Sequence, residues 1–404
     1  MSSLSTTSLD GALKQLYGVK RVLDLTYERN PFLAMVPKFT GFGGRNLPLV
    51  NTVTQPQGVS SDFSVAQGSR TSARIEDFLL TRAKKYSIAS VTGEAALASK
   101  NDAFSFLSGV SVQVDGAMKA LARSLASDLF RNGGGSIGRV ATAINVATIT
   151  LTDITEIVNY EVGMQVQLSA TDGTTGVVRP GFVTIAAIDR NAGTLTADQN
   201  WNVGIPTAAI NDFAFRNGDF GAVLSGVEGW IPPTPPVLGQ LYFNVDRAID
   251  TRLYGQRFSG VGLTIQESLI GGQSLAAREG AVISHAFINN IKMRDLINEL
   301  GAKVIYDRVK SFDAAHIGFR SVVIDGDAGP IQVVADNTVQ SDTAWLLQMD
   351  TWKLCTLGSA TQLLTLDNNR ILRETFADSY ECRVGFYGNL GCTGPGFNCR
   401  VQLS

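Results

Sequence analysis

Apolar residues Leu107, Val110, Val114, Met118, Leu121, Leu125 and Leu129 recur at steps of three or four, one stripe of an amphipathic α-helix running from about Ala103 to Arg131. At ~1.5 Å per residue such a helix extends about 40 Å, more than twice the usual globular helix. Gly109 and Gly116 each cost the helix about 1 kcal/mol relative to alanine, and the stripe continues past both. A helix of this length predicts a girder across the molecule, with its stripe on the C-terminal strands and its polar face turned to solvent, DNA or a neighbour. Glycines Gly133, Gly134 and Gly135 supply the stop.

Upstream, the pattern is that of strands. Phe78 to Ala89 reads as one long strand, and the segment Gly41 to Gly68 is rich in Gly, Pro, Gln, Ser and Thr around the short apolar piece Leu47-Pro48-Leu49-Val50. Together they predict a two-stranded excursion with little core of its own, which needs stabilisation from outside itself. Before it, a short helix is predicted at Ala12 to Tyr17, and Asn30-Pro31 breaks the chain into an extended arm.

Downstream of the long helix, strand patterns recur at Ala147–Leu151, Met164–Leu168, Phe182–Ile188 and Thr194–Thr196, with an Asp189–Gly193 turn between the last two. These predict a small antiparallel barrel or sandwich inserted into the other fold. Trp230-Ile231-Pro232-Pro233-Thr234-Pro235-Pro236 then forms a stiff connector, because four prolines cannot join a helix or a central strand. Two helices follow, Thr264 to Glu279, interrupted by Gly271-Gly272, and Phe287 to Leu300. Strands at Ser321–Ile324 and Ile331–Ala335, and terminal strands at Tyr380–Tyr387 and Asn398–Leu403, complete an α+β chain.

Composition narrows the function. With 404 residues, 44% hydrophobic and 17% charged, the chain is too long for one core and too apolar for disorder. Its 34 Lys and Arg balance 36 Asp and Glu, so no global basic field holds nucleic acid and any DNA contact is local or indirect. No secretory signal opens the sequence and no apolar run spans a membrane, which predicts a cytosol-like compartment. The cysteines Cys355, Cys382, Cys392 and Cys399 are expected as thiols.

Candidate chemistry is sparse. The two histidines, His285 and His316, lack metal-ligand spacing and triad context. Gly133-Gly134-Gly135-Ser136-Ile137-Gly138 matches a dinucleotide-binding pattern in letters only, since it follows a helix and opens none. Asp325-Gly326-Asp327 reads as a tight turn. No catalytic residue, cofactor site or metal site is expected. The one charge concentration is Arg70, Arg74, Arg82, Lys84 and Lys85 around the excursion, a cluster able to meet an acidic surface on a neighbouring copy.

The order of arm, two-stranded excursion, long helix, inserted β-domain, α/β portion and terminal strands resembles the major capsid proteins of tailed bacteriophages with the Hong Kong 97-type fold, in a subgroup with a β-rich insert. Phrases such as Glu228-Gly229-Trp230-Ile231-Pro232-Pro233, Leu253-Tyr254-Gly255-Gln256-Arg257, Tyr306-Asp307-Arg308-Val309-Lys310, Leu346-Leu347-Gln348-Met349-Asp350 and Arg383-Val384-Gly385-Phe386-Tyr387-Gly388-Asn389-Leu390 resemble wording from such a group. The resemblance implies an N-terminal arm (1–40), an E-loop ribbon (41–92), the spine helix of a peripheral domain (93–136), the inserted β-domain (137–222), an axial domain (223–340) and return strands of the peripheral domain (341–404). It implies a shell subunit without enzymatic activity, assembling in the host cytoplasm into pentamers and hexamers of an icosahedral virion head around double-stranded DNA. A portal and a decoration protein are implied partners, and the short N-terminal region implies a separate scaffolding protein. No covalent subunit cross-link is carried over by the resemblance, because it gives no residue-by-residue match for the Lys and Asn positions such a bond needs. The alternatives are a nanocompartment shell, and a ligand-binding or enzymatic protein that uses the β insert.

Overall fold

The computed structural model describes residues 21–22, 25–26, 30–94, 103–301, 305–310, 318–365, 369–375 and 377–404, and backbone alone for 103–110, 305–310 and 318–320. The helix expected at Ala12–Tyr17 lies outside the described residues. Pro31 does not begin an extended arm. It opens the short helix Pro31–Met35 from its first turn, where a missing N–H and a fixed φ cost nothing.

The long helix is Ala103–Phe130. Val114, Met118, Leu121, Leu125 and Leu129 are all buried, and the helix packs on strands Ala83–Thr92 and Ser379–Cys392. The stripe therefore covers one of the C-terminal strands, as its spacing predicts, but also a strand from the region before the helix. Ser379–Cys392 is the hub of this sheet. One of its edges carries Ala83–Thr92 over ten residue pairs, and the other carries Trp352–Thr356, Gln362–Leu363 and Leu372–Arg373 in turn.

The strand expected as one piece from Phe78 to Ala89 is two, Arg74–Thr81 and Ala83–Thr92, divided at Arg82. Arg74–Thr81 pairs with Asn46–Thr54 to make the projecting ribbon, while Ala83–Thr92 belongs to the hub sheet. Residues 41–92 are thus shared between ribbon and sheet. Arg82 sits at the corner, its guanidinium donating to the Phe42 carbonyl at 3.1 Å and lying over the Phe42 ring.

Between the long helix and Trp230 lies a six-stranded antiparallel sheet in the order Ser136–Arg139, Phe213–Arg216, Gln165–Ser169, Val183–Asp189, Thr194–Ala197 and Thr148–Thr150. Its first and last strands meet through a Val140–Leu151 bridge, with Ala141 N–H donating to Thr150 O at 2.9 Å and Thr152 N–H to Arg139 O at 2.8 Å. The sheet closes on itself and is a barrel, which removes its free edges. Ile149, Val166, Leu168, Val183, Ile185, Leu195 and Trp201 fill it as a core separate from the rest of the molecule.

A seven-stranded mixed sheet runs Gln256–Ser259, Cys399–Gln402, Thr343–Leu347, His285–Ile288, Gly329–Ala335, Gly318–Gly326, Ile305–Lys310, covered by helices Ile265–Ala277 and Asn290–Leu300. Residues 341–404 therefore do not all return to one sheet. Thr343–Leu347 is buried at every position and Cys399–Gln402 pairs beside it, so both are interior strands of the seven-stranded sheet. Two further expectations change. Phe287 and Ile288 end a strand, and Asn289 caps the helix that follows by accepting from Ile291 N–H. The helix Ile265–Ala277 is unbroken at Gly271-Gly272; these glycines let it lie close to the sheet, since a Cβ on them would stand 2.4 Å from the Phe258 ring and 2.6 Å from Val401. Asp325 to Gly329 is the expected tight turn, joining Gly318–Gly326 to Gly329–Ala335.

Candidate assembly surface

The ribbon has two unlike ends. At its root, Leu49, Val53, Phe78 and Leu80 point inward and join the core under the hub sheet. Phe78 meets Trp230 edge to face at 5.0 Å, and Trp230 donates from its indole nitrogen to Leu390 O at 2.9 Å. A hairpin of Leu241–Tyr242 and Val245–Asp246 clamps the root from outside, with Phe243 O accepting Leu79 N–H at 2.9 Å. Its two turn residues, Phe243 at φ 45° and Asn244 at φ 72°, take the left-handed conformations of a primed turn, which a phenylalanine adopts at a cost. Arg247 lies 3.8 Å from the Tyr242 ring centre and donates to Gly229 O and Trp230 O, fixing the clamp.

Beyond a register shift between Thr52 and Thr54 the ribbon loses this support. Its far end is the helix Phe63–Gly68, capped by the Asp62 carboxylate, which accepts from Ser64 and Val65 N–H and is held below the usual carboxylate range chiefly by the Ser64 hydroxyl and then by those amides. No residue of that helix is buried. Val59, Phe63 and Val65 are 95%, 81% and 56% exposed. This apolar tip was not among the candidates from sequence; the Asp62-Phe63-Ser64-Val65 cap signature inside a Ser- and Gly-rich stretch was the available signal.

The five basic candidates part company. Arg70 and Lys84 are exposed and Arg74 pairs with Glu76 at 2.7 Å on the ribbon. Arg82 and Lys84 come together with Arg45 around an open hollow of about 500 Å³ at the ribbon root. Lys85 faces inward with a side chain 10% exposed, between Asp128 at 2.5 Å and Asp219 at 3.0 Å. Strand parity explains it, because Lys85 shares a face with Ser87, Ala89 and Val91 against the long helix while Lys84 shares the outer face with Tyr86 and Ile88.

His285 is half-buried in a central strand, bonded to Ser284 Oγ at 2.9 Å, and burial lowers its pKa; His316 lies outside the described residues. Gly133 and Gly135, both at φ 90°, turn the chain into a barrel strand, so the glycine run opens no helix. Among the described residues, no group of three His, Cys, Asp or Glu is placed to hold a metal ion, and no helix is long and apolar enough to cross a membrane.

No protein-family model and no curated protein matches this sequence. Solved structures do. The capsid asymmetric unit of cyanophage A-1(L) superposes with a TM-score of 0.52 at 11% identity, over 93% of this chain and 92% of that one. The chain has a phage-capsid fold. Weaker likenesses extend to a structure from Mycobacterium phage Ogopogo, with a TM-score of 0.41 at 11% identity over 94% and 91% of the two chains. Another is the virus-like particle from Pyrococcus furiosus, at 0.38 and 9% over 99% and 100%. Within the phage-capsid fold the ribbon is an outlying element with a buried root and a bare apolar end.

Proposed function

We propose that this chain is a shell subunit that associates with copies of itself into pentamers and hexamers of an icosahedral phage head. The observation that carries the reading is the ribbon tip: Val59, Phe63 and Val65 stand in solvent on an element with no core of its own at that end, a surface that a lone soluble chain has reason to cover and a neighbouring subunit can. The likeness in fold to a cyanophage capsid subunit along nearly the whole chain supports it. In this reading Arg70, Arg74 and Lys84 are the cations available to a neighbour, the hub sheet and long helix form the peripheral domain, and the seven-stranded sheet forms the axial one. The head encloses double-stranded DNA without a broad basic lining, consistent with the near-neutral charge balance. A separate scaffolding protein, a portal and a decoration protein are its partners, with assembly in the host cytoplasm.

Expression alone and with a candidate scaffolding protein, followed by sizing and electron microscopy, tests this. Capsomers or shells are expected. A chain that stays strictly monomeric in both conditions overturns the reading.

A further inference from the structure

The barrel is joined to the body covalently at one place. Its entry and exit run side by side, with Gly226 N–H donating to Arg131 O at 2.9 Å and Gly221 N–H to Gly134 O at 2.8 Å. This double connection is built on glycines, of which Gly133, Gly135, Gly218 and Gly221 have φ between 64° and 90°. Two adjacent strands of glycine-rich backbone define an axis about which a self-contained domain can swing, because the residues that absorb φ/ψ changes lie on one line. Something away from that line must resist the swing.

One short barrel segment does so. The 3-10 turn Ile154–Asn159 and the residues flanking it touch the body at two separate elements. Toward the long helix, Glu156 pairs with Arg131 at 2.6 Å, both side chains about nine-tenths buried, and Glu161 pairs with Arg123. Toward the seven-stranded sheet, the Asp153 carboxylate accepts from Ser341 N–H at 3.2 Å and Ser341 Oγ at 2.7 Å. Near these, Glu228 feels the positive charges of Arg131 and Arg400 and accepts from Gln340. Two cations and two carboxylates from four elements balance in the interior. A buried ion pair contributes little net stability compared with apolar packing, but it penalises every arrangement in which the partners separate.

We propose that the barrel is a hinged domain held in one orientation by a latch, the segment Asp153–Glu161 engaging the long helix through Arg131 and the seven-stranded sheet through Ser341. The contacts to the body are made by Asp153, Glu156 and Glu161, while the same segment gives Ile157 and Tyr160 to the barrel core, so breaking those contacts changes the barrel's angle and not its fold. This holds whether or not the chain builds a shell.

The test is a spin-label distance between the barrel and the seven-stranded-sheet region in the full chain, from Val177→Cys and Val261→Cys, both exposed positions. The parent should give one narrow distance. Ser341→Ala combined with Glu156→Gln should add a second, displaced population, with hydrogen exchange at Ile154–Asn159 rising at least tenfold while the amides of Gln165–Ser169 keep their protection. Arg131→Met with Glu156→Leu, which replaces the pair by packing, should restore the single distance. An unchanged distance in the Ser341→Ala, Glu156→Gln variant overturns the proposal, as does loss of protection in Gln165–Ser169 at the same time as the latch. Ser341→Ala alone removes only hydrogen bonds and serves where the double variant does not fold; a single distance with no faster exchange at Ile154–Asn159 then counts against the latch.

Discussion

The barrel and the ribbon both leave the same body, and they solve the problem of leaving it in opposite ways. The barrel closes its sheet, fills it with its own residues and has no strand edge left over. The ribbon keeps two strands, lends Leu49, Val53, Phe78 and Leu80 to the body's core and leaves its tip bare. A two-stranded sheet is marginal alone. An excursion without a core is therefore ordered only as far as the body reaches, and the rest depends on what lies beyond the chain.

Substitutions can break this comparison. Trp230→Ala should lower stability by about 3–5 kcal/mol and expose the ribbon root together with the hub sheet, seen as a lower urea midpoint and faster exchange at Arg74–Thr81. Leu121→Ala, in the helix stripe, should cost about 2–5 kcal/mol in the same transition. Val166→Ala should act on the barrel alone, by about 1–3 kcal/mol, leaving exchange in the ribbon root unchanged. If Val166→Ala loosens the ribbon or Trp230→Ala loosens the barrel, the two are not independent. Phe63→Ser, at the tip, should change monomer stability by less than about 0.5 kcal/mol while reducing the yield of assembled particles; full assembly with Phe63→Ser argues against the tip as a contact.

A pH series sharpens the same contrast. Burial raises the pKa of Asp128, only partly offset by Lys85, and burial likewise raises Glu156, Glu228 and Asp336. A raised folded-state pKa means that the folded chain holds protons more tightly than the unfolded one, so this contribution is full below the ordinary carboxylate range and is lost as pH rises through the folded value. His285, whose pKa burial lowers, acts in the opposite sense over part of the same range, so the carboxylate contribution is read as a difference: relative to Asp128→Asn, the parent should gain stability as pH falls from 7 to about 5. A difference between parent and Asp128→Asn that stays constant or shrinks over that interval contradicts the assignment. The Asp62 cap at the tip has the opposite sign, its pKa being lowered, and it weakens only below the ordinary carboxylate range.

The sequence was most legible where one element repeats a single period. The helix Ala103–Phe130, four of the six barrel strands and the Asp325 turn follow from spacing and turn chemistry, whereas the barrel strands Ser136–Arg139 and Phe213–Arg216 carry no such signal. It was least legible where tertiary contact decides. Nothing local separates Arg74–Thr81 from Ala83–Thr92, since the division at Arg82 depends on Phe42, forty residues away. Gly271-Gly272 looked like a break because helix propensity disfavours glycine, whereas close packing on Phe258 and Val401 requires it. The basic cluster read as one patch because five cations are close in sequence, and strand parity sends Lys85 the other way. The charges at Arg131, Glu156, Glu228 and Arg400 are spread over 270 residues and carry no pattern at all.

The four cysteines have a practical consequence. All are buried thiols, and burial pushes Cys355 up to about 11 and Cys392 and Cys399 up to about 12, so at neutral pH almost none of those three is thiolate, the form that attacks maleimides and oxidants. A cysteine introduced at Val59 would then be alkylated against almost no background from the folded chain. The rate at which that single label is taken up, in free subunits and then in particles, would read out how deeply the ribbon tip is covered with the four native cysteines left in place.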